Sequence, residues 1–203
     1  MLDSQGGVKP MQMRMKKDNR GFSLIELIVA VLVIAIISGG SIVAFGALFS
    51  NKVTAAARAV QDGLKQARID ALGLENKDLS NDMTGIYAKF YIKDSELYVD
   101  VCSKNGTDEG VLHTRKIGEG TIGLEFWKNG ATTASATVSS SETVYVYFKK
   151  STGAVRSVWK ATPGHDVTSG TKFEPDILRI TGVSENSVDV ILVRLTGRSY
   201  LDT

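Results

Sequence analysis

Residues 16–37 read KKDNRGFSLIELIVAVLVIAII, a basic and polar segment that ends at Gly21 and leads directly into apolar sequence. No charged residue lies between Leu27 and Phe49, a distance that suffices to cross a bilayer as a helix. Glu26 is the single acid in this apolar sequence. A carboxylate inside such a segment costs roughly 2.5–3.5 kcal/mol on insertion scales, so Glu26 is a candidate functional residue that needs a cationic partner.

This segment resembles the class III signal of type IV pilins and pseudopilins. The matching residues are the basic leader, Gly21, Phe22 and the run Ser23-Leu24-Ile25-Glu26-Leu27. The resemblance implies that a prepilin peptidase cleaves between Gly21 and Phe22 and that the new N-terminal residue, Phe22, is N-methylated. It also implies that Glu26 pairs with the Phe22 amine of a neighbouring subunit during assembly.

The chemistry of Glu26 agrees with that role. Cleavage after Gly21 would create an ammonium at Phe22, and an ammonium in the same layer lowers the cost of a carboxylate in lipid. Because this ammonium exists only after processing, the pair would couple maturation to assembly. The alternative is a tolerated acid near the membrane edge, whose side chain reaches the headgroups.

The charge of the chain is unevenly distributed. The net charge is +2 over 203 residues, but residues 1–21 alone are clearly basic. We interpret residues 1–21 as a cleaved leader peptide that takes no part in the fold. Positive flanks stay cytoplasmic, so the C-terminal domain is predicted to face outward. The near-neutral remainder argues against a dedicated nucleic-acid-binding domain.

The apolar segment is predicted to continue as an amphipathic helix. We assign residues 22–50 to a hydrophobic transmembrane and assembly helix and residues 51–76 to its continuation, with Gly73 and Asn76 as stop signals. Apolar residues recur every three or four positions in the second half and predict one face that packs on a sheet. They are Val53, Ala57, Val60, Leu64, Ala67 and Ala71.

Residues 77–203 are predicted to form a β-rich globular domain. Alternation of apolar and polar residues predicts a hairpin of residues 86–93 and 97–101 with a turn at Asp94-Ser95. Further predicted strands are 111–117, 121–127, 143–149, 154–160, 177–181 and 187–195, with turns at Asn105-Gly106, Asn129-Gly130, Thr152-Gly153 and Thr196-Gly197. Residues 131–141 and 163–175 are predicted loops. The fold class is therefore α+β, a long N-terminal helix packed on a C-terminal antiparallel sheet domain, as in the pilin fold.

Three shorter motifs resemble the H-type minor pseudopilins and their pilus relatives. The first is Leu64-Lys65-Gln66-Ala67-Arg68-Ile69-Asp70-Ala71 in the helix. The others are Tyr147-Phe148 followed by Thr152-Gly153, and the strand 190–195 followed by Thr196-Gly197-Arg198. They favour a minor-type subunit.

Several motifs carry weaker functional interpretations. Residues 118–123 fit GxGxxG, but the sequence that follows predicts a strand, so a glycine-rich turn is expected in place of a dinucleotide site. His113 and His165 have no second ligand at metal spacing, and no zinc is expected. The loop at 163–176 has acids that suit calcium, yet it lacks a dense ligand signature, and solvated acids are the alternative. No catalytic constellation is evident, so no enzyme activity and no cofactor are predicted.

Cysteine and tyrosine residues add predictions about the sheet. Cys102 is the only cysteine, which excludes an intramolecular disulfide, and it is predicted to be a half-buried strand residue. Five tyrosines fall on the strand faces opposite the apolar core positions, where they would cover the outer sheet surface or contact neighbouring subunits. The alternative is that they form solvent-facing cross-strand pairs. They are Tyr87, Tyr91, Tyr98, Tyr145 and Tyr147.

The resemblance predicts a structural subunit, a minor pilin or pseudopilin, of a type IV pilus-like filament that serves secretion, adhesion, motility or DNA uptake. The implied partners are other pilin or pseudopilin subunits, prepilin peptidase, the inner-membrane assembly platform with its ATPase, and lipid before assembly. Nucleic acid is a partner only in a DNA-uptake system. The implied location is the cytoplasmic membrane, with the C-terminal domain outside, and then a surface or periplasm-spanning filament. The alternative is a single-pass anchored binding domain that never assembles.

Overall fold

The computed structural model describes residues 23–73, 85–105, 108–164, 169–182 and 186–202, with the side chains of 39–49 left out. The chain divides into two compact units, Met1–Ile42 and Val43–Thr203. One helix, α1, runs from Leu24 to Gly73. It ends at a predicted stop residue, whereas Asn76 lies outside the described residues.

The second half of α1 belongs to the core of the second unit. All six residues of the predicted apolar stripe are buried, and Ala56 joins them. At Gly63 the helix lies close to the sheet, because a Cβ built there would lie 2.8 Å from Cγ1 of Val99. The amphipathic continuation of the helix is thus confirmed up to Gly73.

The first sheet has six antiparallel strands in the order β3-β2-β1-β6-β7-β8. Its hairpin turn is the predicted one, with Asp94 and Ser95 at φ 52° and 63°. This pair of positive angles is that of the tight turns that suit two-residue hairpins. The strands are β1 (Gly85–Lys93), β2 (Glu96–Asn105), β3 (Asp108–Glu119), β6 (Thr143–Phe148), β7 (Val155–Ala161) and β8 (Thr171–Phe173).

The second sheet has five antiparallel strands in the order β11-β10-β9-β4-β5. Two of them, β5 and β11, and also β8 of the first sheet, were not expected from the sequence. The strands are β4 (Gly123–Trp127), β5 (Ala136–Thr137), β9 (Ile177–Thr181), β10 (Ser187–Val193) and β11 (Arg198–Asp202).

One hydrophobic core joins α1 to both sheets. Phe90 of β1 and Phe126 of β4 pack edge-to-face with ring centroids 5.8 Å apart, which links the first sheet to the second. The α+β architecture, with its helix packed against an antiparallel β domain, is therefore as predicted.

The other face of the first sheet carries a second buried cluster. Tyr87, Tyr145 and Tyr147 are almost fully buried and pack with Cys102 and Trp159. For these three tyrosines the solvent-facing alternative is therefore wrong. Aromatic neighbours shield one another, as in the Tyr87–Tyr147 stack at 4.8 Å. Tyr91 and Tyr98 are partly exposed and form the predicted type of cross-strand pair, 5.8 Å apart.

Candidate functional site

The first turn of α1 is fixed by Ser23 and Glu26. The Glu26 amide donates to Ser23 Oγ at 3.4 Å, and the Leu27 amide donates to the Ser23 carbonyl oxygen at 3.2 Å. Ser23 is thus the N-cap of the helix, and Ser-x-x-Glu is the pattern of a capping box. The sequence analysis missed this role, although the spacing of Ser23 and Glu26 was sufficient to find it.

Glu26 lies in the first turn, where the helix dipole favours an acid. Its side chain is exposed, and it forms no ion pair with any residue that the structure describes. The sequence-predicted partner, Phe22, and the cleavage residue Gly21 lie outside the described residues. The predicted pair of Glu26 with the Phe22 amine therefore stays a prediction.

The helix that follows is apolar on every side. From Ser23 to Ser38 every side chain is exposed, and the large apolar ones retain between 46% and 78% of their accessible surface. A helix that is hydrophobic all round requires an apolar environment, supplied by other helices or by lipid. The described residues of the chain do not supply this apolar environment, because the side chains of residues 23–38 are exposed.

A search of the described residues for a helix with the length and apolarity of a membrane span found none. The predicted span of residues 22–50 includes Phe22 and the side chains of 39–49, which lie outside the described part.

The N-terminal segment is similar to a known protein family. A family model described as the prokaryotic N-terminal methylation motif matches residues 16–42. The chain carries the class III prepilin signal of the type IV pilin and pseudopilin family. No curated protein and no solved structure matches the chain.

The methylation motif indicates a type IV pilin-like, membrane-anchored protein that prepilin peptidase processes, with other pilins as its general partners. It points to a structural subunit and not to an enzyme. The matched residues include Gly21, Phe22 and Glu26, the three positions that the sequence analysis selected. They also include Ser23, which adds the helix cap to that set.

The three secondary pilin-like motifs meet at one place in the second unit. Arg68 Nε donates to the Thr196 carbonyl oxygen at 2.8 Å, and the Arg68 side chain covers Gly153. Gly153 and Gly197 have φ of 63° and 66°, and a Cβ on Gly197 would overlap the Gly153 carbonyl oxygen. We call this contact of Arg68 with the turns at 149–154 and 194–197 the turn lock.

The turn lock is a structural device. The Val155 amide donates to the Arg194 carbonyl oxygen at 2.8 Å, which ties the first sheet to the second beside the two glycines. The sequence analysis found each motif separately, but their meeting depends on residues that are far apart in the chain. The motifs therefore hold the helix and both sheets together.

The glycine-rich motif at 118–123 and Cys102 belong to a turn and to a strand of the β domain. Residues 120–122, in the middle of the GxGxxG match, form the turn between β3 and β4. The Ile122 amide donates to the Glu119 carbonyl oxygen at 2.8 Å and closes it, so the glycine-rich turn is confirmed. Cys102 lies in β2 as predicted but is buried, and burial raises the pKa of its thiol to about 11.

The acids of the loop at 163–176 are accounted for in part by protein contacts. Glu174 pairs with Arg194 at 3.0 Å, which lowers the pKa of the Glu174 carboxyl. Asp176 accepts a hydrogen bond from the Asn129 amide at 3.2 Å. His165 and Asp166 lie outside the described residues. Among the described residues no group of three or more His, Cys, Asp or Glu side chains forms a metal site.

Proposed function

We propose that the chain is a structural subunit, of the minor pilin or pseudopilin type, in a type IV pilus-like filament. The observation that supports this most strongly is the methylation motif at residues 16–42, which ends in a helix whose described side chains within the motif are apolar except at Glu26 and Ser38. The turn lock supports the minor type, because it involves all three motifs that resemble that subfamily.

In this proposal, residues 1–21 are removed by prepilin peptidase and Phe22 becomes the methylated N-terminus. Before assembly the helix from Phe22 to about residue 50 crosses the cytoplasmic membrane, with the second unit outside. During assembly the platform and its ATPase transfer the subunit into a filament, where the apolar helix packs against the helices of other subunits. The filament then serves secretion, adhesion, motility or DNA uptake.

The capping geometry gives the proposed Glu26–Phe22 pair a physical reason. A processed N-terminal ammonium at Phe22 would lie next to the N-cap Ser23, at the positive end of the helix dipole. A positive charge is unfavourable there, and a carboxylate in the first turn offsets it. In a filament the carboxylate is that of a neighbour, so each subunit added compensates one amine.

The first experiment is the mass of the N-terminal peptide from native membranes and from sheared filaments. A peptide that begins at Phe22 with one added methyl group is expected. Substitution of Gly21 by leucine provides the control, since it should leave the leader attached. A wild-type peptide that retains residues 1–21 would contradict the proposal and favour an anchored domain that does not assemble.

Glu26 is tested by Glu26→Gln, which keeps the size of the side chain but removes the charge. We expect normal insertion and processing and at least a tenfold loss of incorporation into filaments, measured by immunoblot of sheared material. Glu26→Asp is the matched control and should retain part of the incorporation because it retains the charge. Wild-type incorporation of Glu26→Gln would refute the charge pair while leaving processing intact.

A further inference from the structure

An apolar row crosses the outer face of the second sheet. The register of the sheet places its four members opposite one another on neighbouring strands. Ile191 and Tyr200 keep 37% and 49% of their surface exposed, and the other two are half-buried. Neighbouring strands are about 4.8 Å apart, so the row is about 14 Å long. From β4 to β11 its members are Trp127, Ile177, Ile191 and Tyr200.

A charged row runs beside the apolar row, two residues further along each strand. It has three carboxylates and one guanidinium: Glu125, Arg179, Asp189 and Asp202. Arg179 donates from Nε and Nη2 to the two carboxylate oxygens of Asp189, each at 2.9 Å. Glu125 accepts a hydrogen bond from Trp127 Nε1 at 2.9 Å, and neither Glu125 nor Asp202 forms an ion pair with a described residue. Both ends of the row are therefore negative and attract a cation.

The exposed face of the second half of α1 has the complementary pattern. Lys65 is exposed and forms no ion pair with a described carboxylate. Ile69 and Leu72 follow it on the same face of the helix and are also exposed. The last turn of α1 has no basic residue, so the negative end of the helix dipole is not compensated within the helix.

The two patterns have nearly the same spacing. Lys65 and Ile69 are four residues apart, which is about 6 Å along a helix. The charged row and the apolar row are two residues apart, which is about 6.8 Å along a strand. A helix laid along the strands therefore brings Lys65 to the charged row when Ile69 and Leu72 lie on the apolar row. The row on the other side, which contains the exposed Arg198, then meets the negative end of the helix.

A second exposed apolar pair of the β domain fits the charged row less well. Val111 and Leu112 of β3 are exposed, and two cations follow them in the strand. Both cations, Arg115 and Lys116, already form ion pairs with described carboxylates of the same chain. Docking of β3 on an acidic row would have to compete with those pairs, whereas Lys65 has none to lose.

We propose that the outer face of the second sheet binds the exposed face of α1 of a second copy of this chain. In this contact Ile69 and Leu72 of one copy pack on Ile191 and Tyr200 of the other, and Lys65 pairs with Asp202. The inference goes beyond the proposed function, because the contact requires neither cleavage of the leader nor assembly into a filament.

The test is disulfide cross-linking between two full-length single-cysteine chains in dodecylmaltoside micelles. Both chains carry Cys102→Ala, so that only the introduced thiols react. The Ile69→Cys chain is mixed with the Ile191→Cys chain, and the mixture is oxidised with copper phenanthroline. We expect a cross-linked dimer of the two chains, identified by the mass of the joined peptides.

Val111→Cys is the matched control for the position on the sheet. Val111 is more exposed than Ile191, at 58% against 37%, and it lies on the first sheet. Random encounters within a micelle would therefore favour Val111→Cys as the partner of Ile69→Cys. We expect at least fivefold less product from this control mixture than from the mixture with Ile191→Cys.

Charge reversal tests the ion pair. Lys65→Glu in the Ile69→Cys chain should lower the yield about threefold to tenfold, because an exposed ion pair is replaced by like-charge repulsion. Asp202→Lys in the Ile191→Cys chain should then restore the yield. Lys93→Glu changes an exposed cation of the first sheet and should leave the yield unchanged.

Three results would overturn the proposal. They are a yield with Val111→Cys that equals the yield with Ile191→Cys, a yield that Lys65→Glu does not change, and the absence of product from both mixtures. The first would indicate random encounter or docking on β3, and the last would leave lipid or another protein to cover the apolar row. Because the unprocessed chain is used, failure of this experiment and failure of the N-terminal mass experiment are distinguishable.

Discussion

Gly197→Ala gives the sharpest test of how the two sheets are joined. Gly197 combines a left-handed φ of 66° with a contact in which an added Cβ would overlap the Gly153 carbonyl oxygen. Gly130 provides a matched control, because its φ is 78° but a Cβ there would meet nothing within 4 Å. The two alanine substitutions share the backbone strain and differ in the close approach.

The expected loss of stability follows from the backbone strain and from the close approach. Alanine in the left-handed region costs about 1–2 kcal/mol, which both variants incur. In Gly197→Ala the two turns must also move apart, which strains the Val155–Arg194 and Arg68–Thr196 hydrogen bonds, both at 2.8 Å. Each such bond contributes about 1 kcal/mol, so Gly197→Ala should be about 2 kcal/mol less stable than Gly130→Ala.

The assay is urea unfolding of the full chain in detergent, followed by tryptophan fluorescence. Trp127 lies in β4 and Trp159 in β7, so the two tryptophans report on different sheets. The difference of about 2 kcal/mol corresponds to about 4–8 °C in Tm for a domain of this size. If Gly197→Ala is no less stable than Gly130→Ala, the turn lock as described is wrong.

Two further predictions concern the core. Gly63→Ala should destabilise the fold by about 1 kcal/mol in spite of the better helix propensity of alanine, because the added Cβ would lie 2.8 Å from Val99 Cγ1. In a Val99→Ala background the same substitution should become stabilising. Gly73→Ala is the control in the same unfolding assay, because a Cβ at Gly73 would meet nothing within 4 Å. The buried Cys102 thiol has its pKa raised from 9.0 to about 11, so the unfolded chain loses this proton at lower pH than the folded chain. The contribution of Cys102 to the free energy of unfolding should therefore be full below pH 9 and decrease as the pH rises toward about 11. This decrease should be smaller in Cys102→Ala. Identical pH profiles of the free energy of unfolding in the two proteins would contradict the prediction.

Local sequence patterns predicted the elements that depend on near neighbours. The stripe from Val53 to Ala71 defined the buried face of the helix, and Asp94-Ser95 marked the hairpin turn. By contrast β5, β8 and β11 are edge strands of two to five residues inside or after polar loops. Their pairing partners are remote or their hydrophobic pattern is too short to be recognised.

Burial on the second face of a sheet was not predictable from alternation. Period two correctly placed Tyr87, Tyr145 and Tyr147 opposite the helix-facing residues of their strands. It could not show that these rings pack on one another and on Cys102. The turn lock has the same limitation, since Arg68, Gly153 and Gly197 come together only through contacts between elements that are distant in the sequence.

The energetics of the N-terminal helix separate insertion from assembly. On the proposed function, the large apolar residues between Leu24 and Phe49 favour insertion by about 5–10 kcal/mol, against about 2.5–3.5 kcal/mol for one central acid. Because Glu26 lies in the first turn and not at the centre, its cost is at the low end of that range. The acid therefore does not prevent insertion, and its removal makes insertion easier. An assembly defect in Glu26→Gln consequently cannot arise from failed insertion, and normal processing of the variant would then favour loss of the partner charge as its cause.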